Sequence, residues 1–155
     1  MSGQSKSPDR EGLATEPNAL AEAARTRQCW LKMLESADAE TVAEWIDGAG
    51  PERLLFDSRP HDVRPGHLLF CVEPEQRVVV AVTESLADGS TTLHDFEATS
   101  NERWLFTLPV RPLAVVGDLA LAPPLPHTGG ALPFSYRPLT ATTARTLASS
   151  LLTLP

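Results

Sequence analysis

The spacing of hydrophobic residues changes from helix-like to strand-like near residue 50. Over residues 17–47, apolar side chains recur at intervals of three and four, which is the period of an amphipathic helix. The members of this stripe are Leu20, Ala23, Ala24, Trp30, Leu31 and Leu34. Pro17 suits the first turn of a helix, and Ser36 or Asp38 can cap a second one. Residues 17–47 are therefore predicted to form a helix pair or one bent helix.

Short apolar runs separated by turn residues follow over residues 53–122. They are rich in β-branched and aromatic residues, which favour strands. The predicted strands cover residues 54–56, 67–72, 77–83, 91–96, 103–108 and 113–121. Residues 73–76 and 88–90 are predicted to be hairpin turns. Because parallel strands need long crossover connections, this order of short connectors predicts an antiparallel meander sheet.

The last 37 residues, 119–155, contain no Asp, Glu or Lys. Within them, residues 123–138 are rich in proline and are predicted to form a long irregular loop, a type of segment that is often functional. Thr140 then caps a predicted C-terminal helix, whose apolar side includes Ala144, Leu147, Ala148, Leu151 and Leu152. Folding alone does not explain the loop, so Phe134, Tyr136 and Arg137 near its end are the candidate partner-binding residues.

These elements predict an α+β fold. It consists of an N-terminal helical segment, an antiparallel meander sheet of five or six strands, and a C-terminal helix. The alternative is that the sheet curls into a partly open barrel around that helix. Residues 1–16 are rich in Ser, Gly, Pro and charge, and they are predicted to be a disordered tail. Residues 17–155 are predicted to form a single domain.

Composition and charge narrow the class of protein. The chain has 155 residues and a formal net charge of −7, and this acidity argues against nucleic-acid binding. No apolar stretch is long enough to span a membrane, and no secretory signal is visible, so a cytoplasmic location is expected. Cys29 and Cys71 are expected to be buried thiols. The excess of Arg over Lys is typical of a GC-rich bacterial genome.

The densest polar segment is the predicted loop at residues 57–66, between two strands. Its Arg59 and Arg64 could form an anion site, or could pair locally in a solvated loop. With His67 and His94 they are the candidate ligand-binding groups, in a pocket between the sheet and the C-terminal helix. A metal site formed by His67, Cys71 and His94 has no supporting ligand spacing, so neither a metal nor a cofactor is predicted.

No catalytic motif is recognisable, so an enzyme is possible but not favoured. The favoured class is a non-enzymatic accessory or binding protein, such as an adaptor, a dedicated chaperone, an immunity protein or a complex subunit. It would act through contact with a protein partner or by self-association. The alternative is a small barrel-like enzyme or ligand-binding protein. A large exposed apolar patch would favour the first class, and polar groups gathered at a cavity would favour the second.

Overall fold

The computed structural model describes residues 17–34, 51–56, 58–73, 76–94, 106–116, 119–125 and 136–152. The helices in this part of the chain are α1 (Pro17–Thr26) and α2 (Ala141–Leu152). The strands are β1 (Cys29–Met33), β2 (Arg53–Phe56), β3 (Leu68–Glu73), β4 (Val78–Ser85), β5 (Leu93–His94), β6 (Phe106–Val115) and β7 (Tyr136–Leu139). The predicted disordered tail at 1–16 and the predicted second helix after Ser36 lie outside the described residues.

Six strands form one sheet in the order β2-β6-β4-β3-β1-β7, and the short β5 also pairs with β6. Only the β1–β3 pair is parallel among the described pairs, and the others are antiparallel. The structure therefore confirms the predicted α+β class, with a mostly antiparallel sheet between an N-terminal and a C-terminal helix. Strands β3 and β4 pair as the predicted hairpin, and Arg77, directly before β4, has a φ of 58°.

The two helices pack against each other, and their buried side chains belong to the same hydrophobic core as one side of the sheet. The Cys29 thiol donates to the Ala24 carbonyl at 3.7 Å, which places alternate β1 residues, including Leu31, against α1. The predicted cap of the last helix is present, because the Thr143 amide donates to the Thr140 hydroxyl at 3.2 Å. The buried helix residues are Leu20, Ala23, Ala24, Ala144, Leu147, Ala148 and Leu151.

The predicted helical stripe is wrong beyond residue 26, because Cys29–Met33 form strand β1 rather than helix. All five residues of this strand are buried. A strand covered on both faces has no polar side, so its apolar run resembles a buried helical segment. Strand β1 pairs with β3 on one side and with β7 on the other, so its backbone N–H and C=O groups have hydrogen-bond partners. This pairing explains why the segment forms a strand and not a helix.

The predicted strands at 103–108 and 113–121 overlap a single strand, β6 (Phe106–Val115), and the predicted strand is wrong at Leu119–Leu121, which form a 3₁₀ turn. Pro109 and Pro112 lie inside β6, which is why the sequence suggested a break. The strand tolerates Pro112 because the β4–β6 register shifts between Val82 and Thr83, next to the proline. Residues 88–90 are also not a hairpin turn, since β4 and β5 both pair with β6 rather than with each other.

The predicted irregular loop at 123–138 contains ordered structure at both of its ends. At its start, the Val79 amide donates to the Pro123 carbonyl at 2.8 Å, so the chain continues along β4. At its end, Tyr136 and Arg137 belong to β7, which pairs with β1. Pro138 is compatible with this strand because β7 lies at an edge of the described sheet, where a missing backbone N–H removes no hydrogen bond to a further strand.

Candidate functional site

Aromatic and cationic side chains from four separate segments meet on the face of the sheet that the helices do not cover. We call this group the closure cluster, and its members are Trp30, Lys32, Phe56, His67 and Tyr136. The Trp30 and Tyr136 ring centroids are 5.4 Å apart, and those of Phe56 and Tyr136 are 5.6 Å apart, both in edge-to-face geometry. Such arrangements add stability beyond the burial of area, so the cluster is a specific packing unit.

The cluster joins the two edges of the sheet. Phe56 lies on β2 and Tyr136 on β7, which stand at opposite ends of the strand order. In a flat sheet of six strands, five spacings of about 4.8 Å would separate these edges by about 24 Å. Contact between the two rings therefore requires the sheet to curl into a half-barrel. The alternative fold prediction included this curl, but the sheet curls around the aromatic cluster and not around the C-terminal helix. The aromatic rings fill the gap where the curled edges approach.

Lys32 is the most unusual member, because it is fully buried. Lysines are rarely excluded from water unless their charge is stabilised. Its Nζ donates to the Met33 carbonyl at 2.8 Å and lies 4.4 Å from the centroid of the Phe56 ring. These contacts are a charge-assisted hydrogen bond and a cation–π interaction. Lys32 thus brings its amino group into the interior of the half-barrel, over the Phe56 ring.

His67 has one ring nitrogen fully engaged. Its Nδ1 accepts hydrogen bonds from Trp30 Nε1 at 3.1 Å and from the Arg64 backbone amide at 3.0 Å. Two N–H groups directed at one nitrogen require that nitrogen to be unprotonated, so the neutral ring carries its proton on Nε2. Burial, and next the positive charge of Arg64, lower the pKa of His67. The half-buried imidazole is therefore held neutral and in one tautomer.

The loop before His67 is fixed by backbone contacts to neighbouring segments. The Gly66 amide donates to the Ser85 carbonyl at 2.8 Å, and the Ser85 amide donates to the His67 carbonyl at 2.9 Å. The Gly89 amide donates to the Val63 carbonyl at 2.7 Å. A Cβ at Gly89 would lie 1.9 Å from the Pro60 carbonyl oxygen, so only glycine permits this approach. The loop is consequently a rigid support for His67.

The structure places Arg59, Arg64 and His67 in this one loop, but the two arginines have separate partners. The Arg59 guanidinium lies 4.9 Å from the Phe106 ring centroid, and its Nε donates to the Thr92 carbonyl at 3.2 Å. Arg64 donates to the Asp88 carboxylate at 3.2 Å and also to the His61 carbonyl. Both side chains thus hold the loop to the segment that connects β4 and β5.

The other predicted site residues are only partly described. The backbone of His94 pairs with Phe106 in β5, but its side chain lies outside the described residues, as does Phe134. Tyr136 belongs to the closure cluster, whereas Arg137 pairs with Leu31 and faces the other side of the sheet. Burial raises the pKa of Tyr136, and backbone hydrogen bonds from Asp62 and His61 oppose that rise. The three predicted partner-binding residues therefore do not form one described surface.

Three residues of the cluster were not among the predicted site residues: Trp30, Lys32 and Phe56. Trp30 and Lys32 were assigned to a helix, where their side chains would not share a face with each other. Lys32 offers the one usable indication in the sequence, because a single charge inside an otherwise apolar run is unusual for a buried strand. Phe56 could not be connected with Tyr136, since 80 residues separate them in the sequence.

Other features of the described residues do not contribute to this site. A surface groove of about 300 Å³ lies between the helices, lined by Ala21, Glu22, Arg25, Arg145 and Ser149, and Arg59, Arg64 and His67 are not among its lining residues. No group of three or more His, Cys, Asp or Glu side chains in the described ranges is arranged to hold a metal ion. No helix of the described part is long and apolar enough to cross a membrane.

The fold and the site define an α+β half-barrel whose edges are closed by an aromatic cluster around a buried lysine. No family model matches the chain, and no curated protein sequence matches it. The chain shows a distant similarity to two solved structures. One is the NMR structure of Rpa0253 from Rhodopseudomonas palustris, with 17% identity and a TM-score of 0.45, covering 83% of this chain and 95% of that one. The other is the crystal structure of Atu2648 from Agrobacterium tumefaciens, with 15% identity and a TM-score of 0.38, covering 79% and 91%.

Proposed function

We propose that this chain is a non-enzymatic binding protein that takes a small ligand beside His67, at the accessible side of the closure cluster. The ligand offers a hydrogen-bond acceptor oxygen next to a flat apolar group. The acceptor bonds to His67 Nε2–H, and the flat group lies against the rim formed by His67 and Tyr136. Both of these side chains are half-buried, so they can contact a ligand without a rearrangement of the core.

The observation that carries the proposal is the state of the His67 ring. Its Nδ1 is saturated by two donors, and no described residue accepts a hydrogen bond from its Nε2. A donor that is held in one direction, in one tautomer, and without a protein acceptor is suited to recognise an acceptor on a ligand. Arg64, whose side chain is 49% exposed, adds positive charge nearby and favours an anionic acceptor.

The same geometry argues against general-base catalysis by His67. A general base must accept a proton and later release it, and its pKa must lie near the working pH. A second proton on His67 would have to go to Nδ1, where the Trp30 and Arg64 N–H groups already point. Protonation would break both hydrogen bonds, which agrees with the lowered pKa of this ring. His67 is thus a fixed donor rather than a proton shuttle.

The surface of the described residues supports a ligand more than a protein partner. A docking surface for a protein would expose a contiguous apolar patch. Among the described residues, only Leu86 and Leu121 are large hydrophobic residues with substantial exposure, at 54% and 48%. They are 35 positions apart in the sequence and belong to different connecting segments. Contact with a protein partner, favoured by composition alone, is therefore the second hypothesis.

The proposal can be tested by titrating the ¹⁵N-labelled full chain with benzoate, phenyl phosphate and benzamide. These probes place a carboxylate, a phosphate or an amide oxygen on the same flat ring. We expect saturable changes at the His67 Nε2–H and Trp30 indole N–H signals, strongest for the two anions. If no probe shifts these signals at millimolar concentration, ligand binding at this site is wrong. If light scattering of the same samples detects an oligomer of the chain, that result would instead support self-association.

Two substitutions at one position separate binding from folding. In His67→Asn, the amide oxygen takes the place of Nδ1 and still accepts from Trp30 and Arg64, but the Nε2 donor is lost. In His67→Gln, the amide reaches the Nε2 position and the Nδ1 acceptor is lost. We therefore expect the Asn variant to keep its stability and lose probe binding, and the Gln variant to lose stability first. The reverse order would contradict the assigned roles of the two nitrogens.

A further inference from the structure

A charged network lies on the other side of the His67 loop, outside the closure cluster. Glu84, on β4, has a side chain that is only 15% exposed. Its Oε2 accepts from Arg27 NH1 at 2.9 Å, and its Oε1 accepts from Arg111 Nε at 3.1 Å. Burial alone would raise the pKa of Glu84, but hydrogen bonds from Arg111 and Arg27 lower it below its usual value. The carboxylate is therefore ionised and held between two guanidinium groups.

The two arginines differ in what else they contact. Arg27 NH1 also donates to the Gly66 carbonyl at 3.1 Å, so one guanidinium nitrogen bridges Glu84 and the residue before His67. Arg111 lies on β6 and donates to Glu84, and none of its described hydrogen bonds goes to the loop. The Gly66 backbone is in the left-handed region, with a φ of 89°, so its peptide orientation is set by outside contacts as well as by local preference.

We infer that Arg27 is a positioning residue for His67, acting through the Gly66 carbonyl and anchored by Glu84. The peptide that joins Gly66 to His67 has a hydrogen bond at each end: its carbonyl accepts from Arg27 NH1 at 3.1 Å, and its amide donates to the Arg64 carbonyl at 3.0 Å. The two hydrogen bonds with Ser85 hold the peptides before and after it. Without Arg27, the Gly66 carbonyl loses its partner and the peptide is held at its amide alone, so it can tilt and turn the Cα–Cβ direction of His67. The imidazole then leaves the position in which both donors meet Nδ1.

Arg27, which sets the orientation of the His67 ring, lies in the link between α1 and β1. The Arg27 guanidinium donates to Glu84 and to the Gly66 carbonyl, and neither of these groups is part of the proposed ligand contact. The effect of Arg27 on ligand affinity rests on the proposed function, but the effect of Arg27 on the orientation of the His67 ring does not. The two can therefore be tested with separate measurements on the same protein.

The experiment compares Arg27→Gln with Arg111→Gln in the full ¹⁵N-labelled chain. Both variants remove one of the two cationic partners of Glu84, but only the first removes the contact to Gly66. The histidine ring nitrogens report the tautomer directly, since protonated and unprotonated nitrogens resonate far apart. For Arg27→Gln, we expect the two His67 nitrogen signals to move towards each other and benzoate affinity to fall about fivefold. For Arg111→Gln, we expect wild-type His67 signals and affinity within about twofold.

The inference is overturned if Arg27→Gln leaves the His67 nitrogen signals unchanged, or if Arg111→Gln shifts them equally. Arg27→Lys keeps the charge beside Glu84 and is the second variant if the Gln variant does not fold. The His67 nitrogen signals of Arg27→Lys are expected to lie between those of the wild type and those of Arg27→Gln. If the wild-type protein binds no probe, the proposed function fails, yet the ring signals still decide whether Arg27 positions His67.

Discussion

The contact between Phe56 and Tyr136 gives the sharpest test of the curled sheet, because it joins the two edge strands. The perturbation is a double-mutant cycle with Phe56→Leu and Tyr136→Leu. Each substitution keeps an apolar side chain but removes one of the two rings. If the edges meet as described, the double variant should be less destabilised than the sum of the single variants predicts.

The expected magnitudes follow from the geometry. Phe56 is fully buried and also lies under the Lys32 ammonium, so Phe56→Leu should cost about 2–3 kcal/mol of unfolding free energy. The ring centroids are 5.6 Å apart at an interplanar angle of 84°. An edge-to-face pair in this range contributes about 0.5–1.5 kcal/mol beyond burial. The coupling energy from the cycle should therefore be about 1 kcal/mol.

The assay is equilibrium urea unfolding at pH 7.5, followed by far-UV circular dichroism. A parallel cycle with Tyr136→Phe keeps the ring and removes only the hydroxyl, so its coupling to Phe56→Leu should be close to zero. A third cycle pairs Phe56→Leu with Leu147→Ala, on the helical layer, and should be additive. Coupling below about 0.3 kcal/mol in the first cycle would mean that the rings do not interact, and that the sheet edges do not meet.

Four further outcomes are expected. Gly89→Ala should cost about 1–3 kcal/mol in urea unfolding, because the new Cβ would overlap the Pro60 carbonyl; an Ala variant of wild-type stability would contradict the close approach. The pKa of His67 is lowered in the folded state, so the ring takes up a proton when the protein unfolds, and stability should fall as the pH drops below about 6.5. His67→Asn should remove this pH dependence, and a rise in stability on acidification would refute it. Thr140→Ala should cost about 1 kcal/mol, measured by thermal unfolding, through loss of the α2 cap, whereas an unchanged midpoint would contradict the capping contact. Burial raises the pKa of Cys29 to about 11, so the native protein should not react at this thiol with a disulfide reagent at pH 8 until urea unfolds it.

Local patterns predicted those elements whose neighbours in space are also neighbours in sequence. The β3–β4 hairpin and the α2 helix were predicted correctly because a turn in one case and a threonine cap in the other mark their limits. Strand β1 was missed because burial on both faces removes the alternation that identifies a strand. Strand β7 was missed because Pro138 and the proline-rich residues before it suggested a loop.

The candidate site was predictable only in part, for a related reason. Arg59 and Arg64 were chosen from one polar segment and His67 from the start of the predicted strand after it, and the structure places all three between β2 and β3. Their partners come from other strands and connectors, and those pairings depend on how the sheet curls. Local sequence spacing carries no information on the curl, since it arises from twist and register over six strands. The buried side of the site, with Lys32 at its centre, was therefore not predicted.

The parallel pairing of β1 with β3 links this fold to the chemistry of His67. In that register Trp30 is opposite Leu69, and His67 lies two positions before Leu69, on the same face. The indole N–H can therefore reach back to His67 Nδ1. A shift of β1 by one residue would turn Trp30 towards the helices and bring Leu31 into its place, leaving Nδ1 with one donor. The fixed tautomer, and with it the Nε2 donor for which no described residue provides an acceptor, depends on the β1–β3 pairing, which the hydrophobic pattern did not reveal.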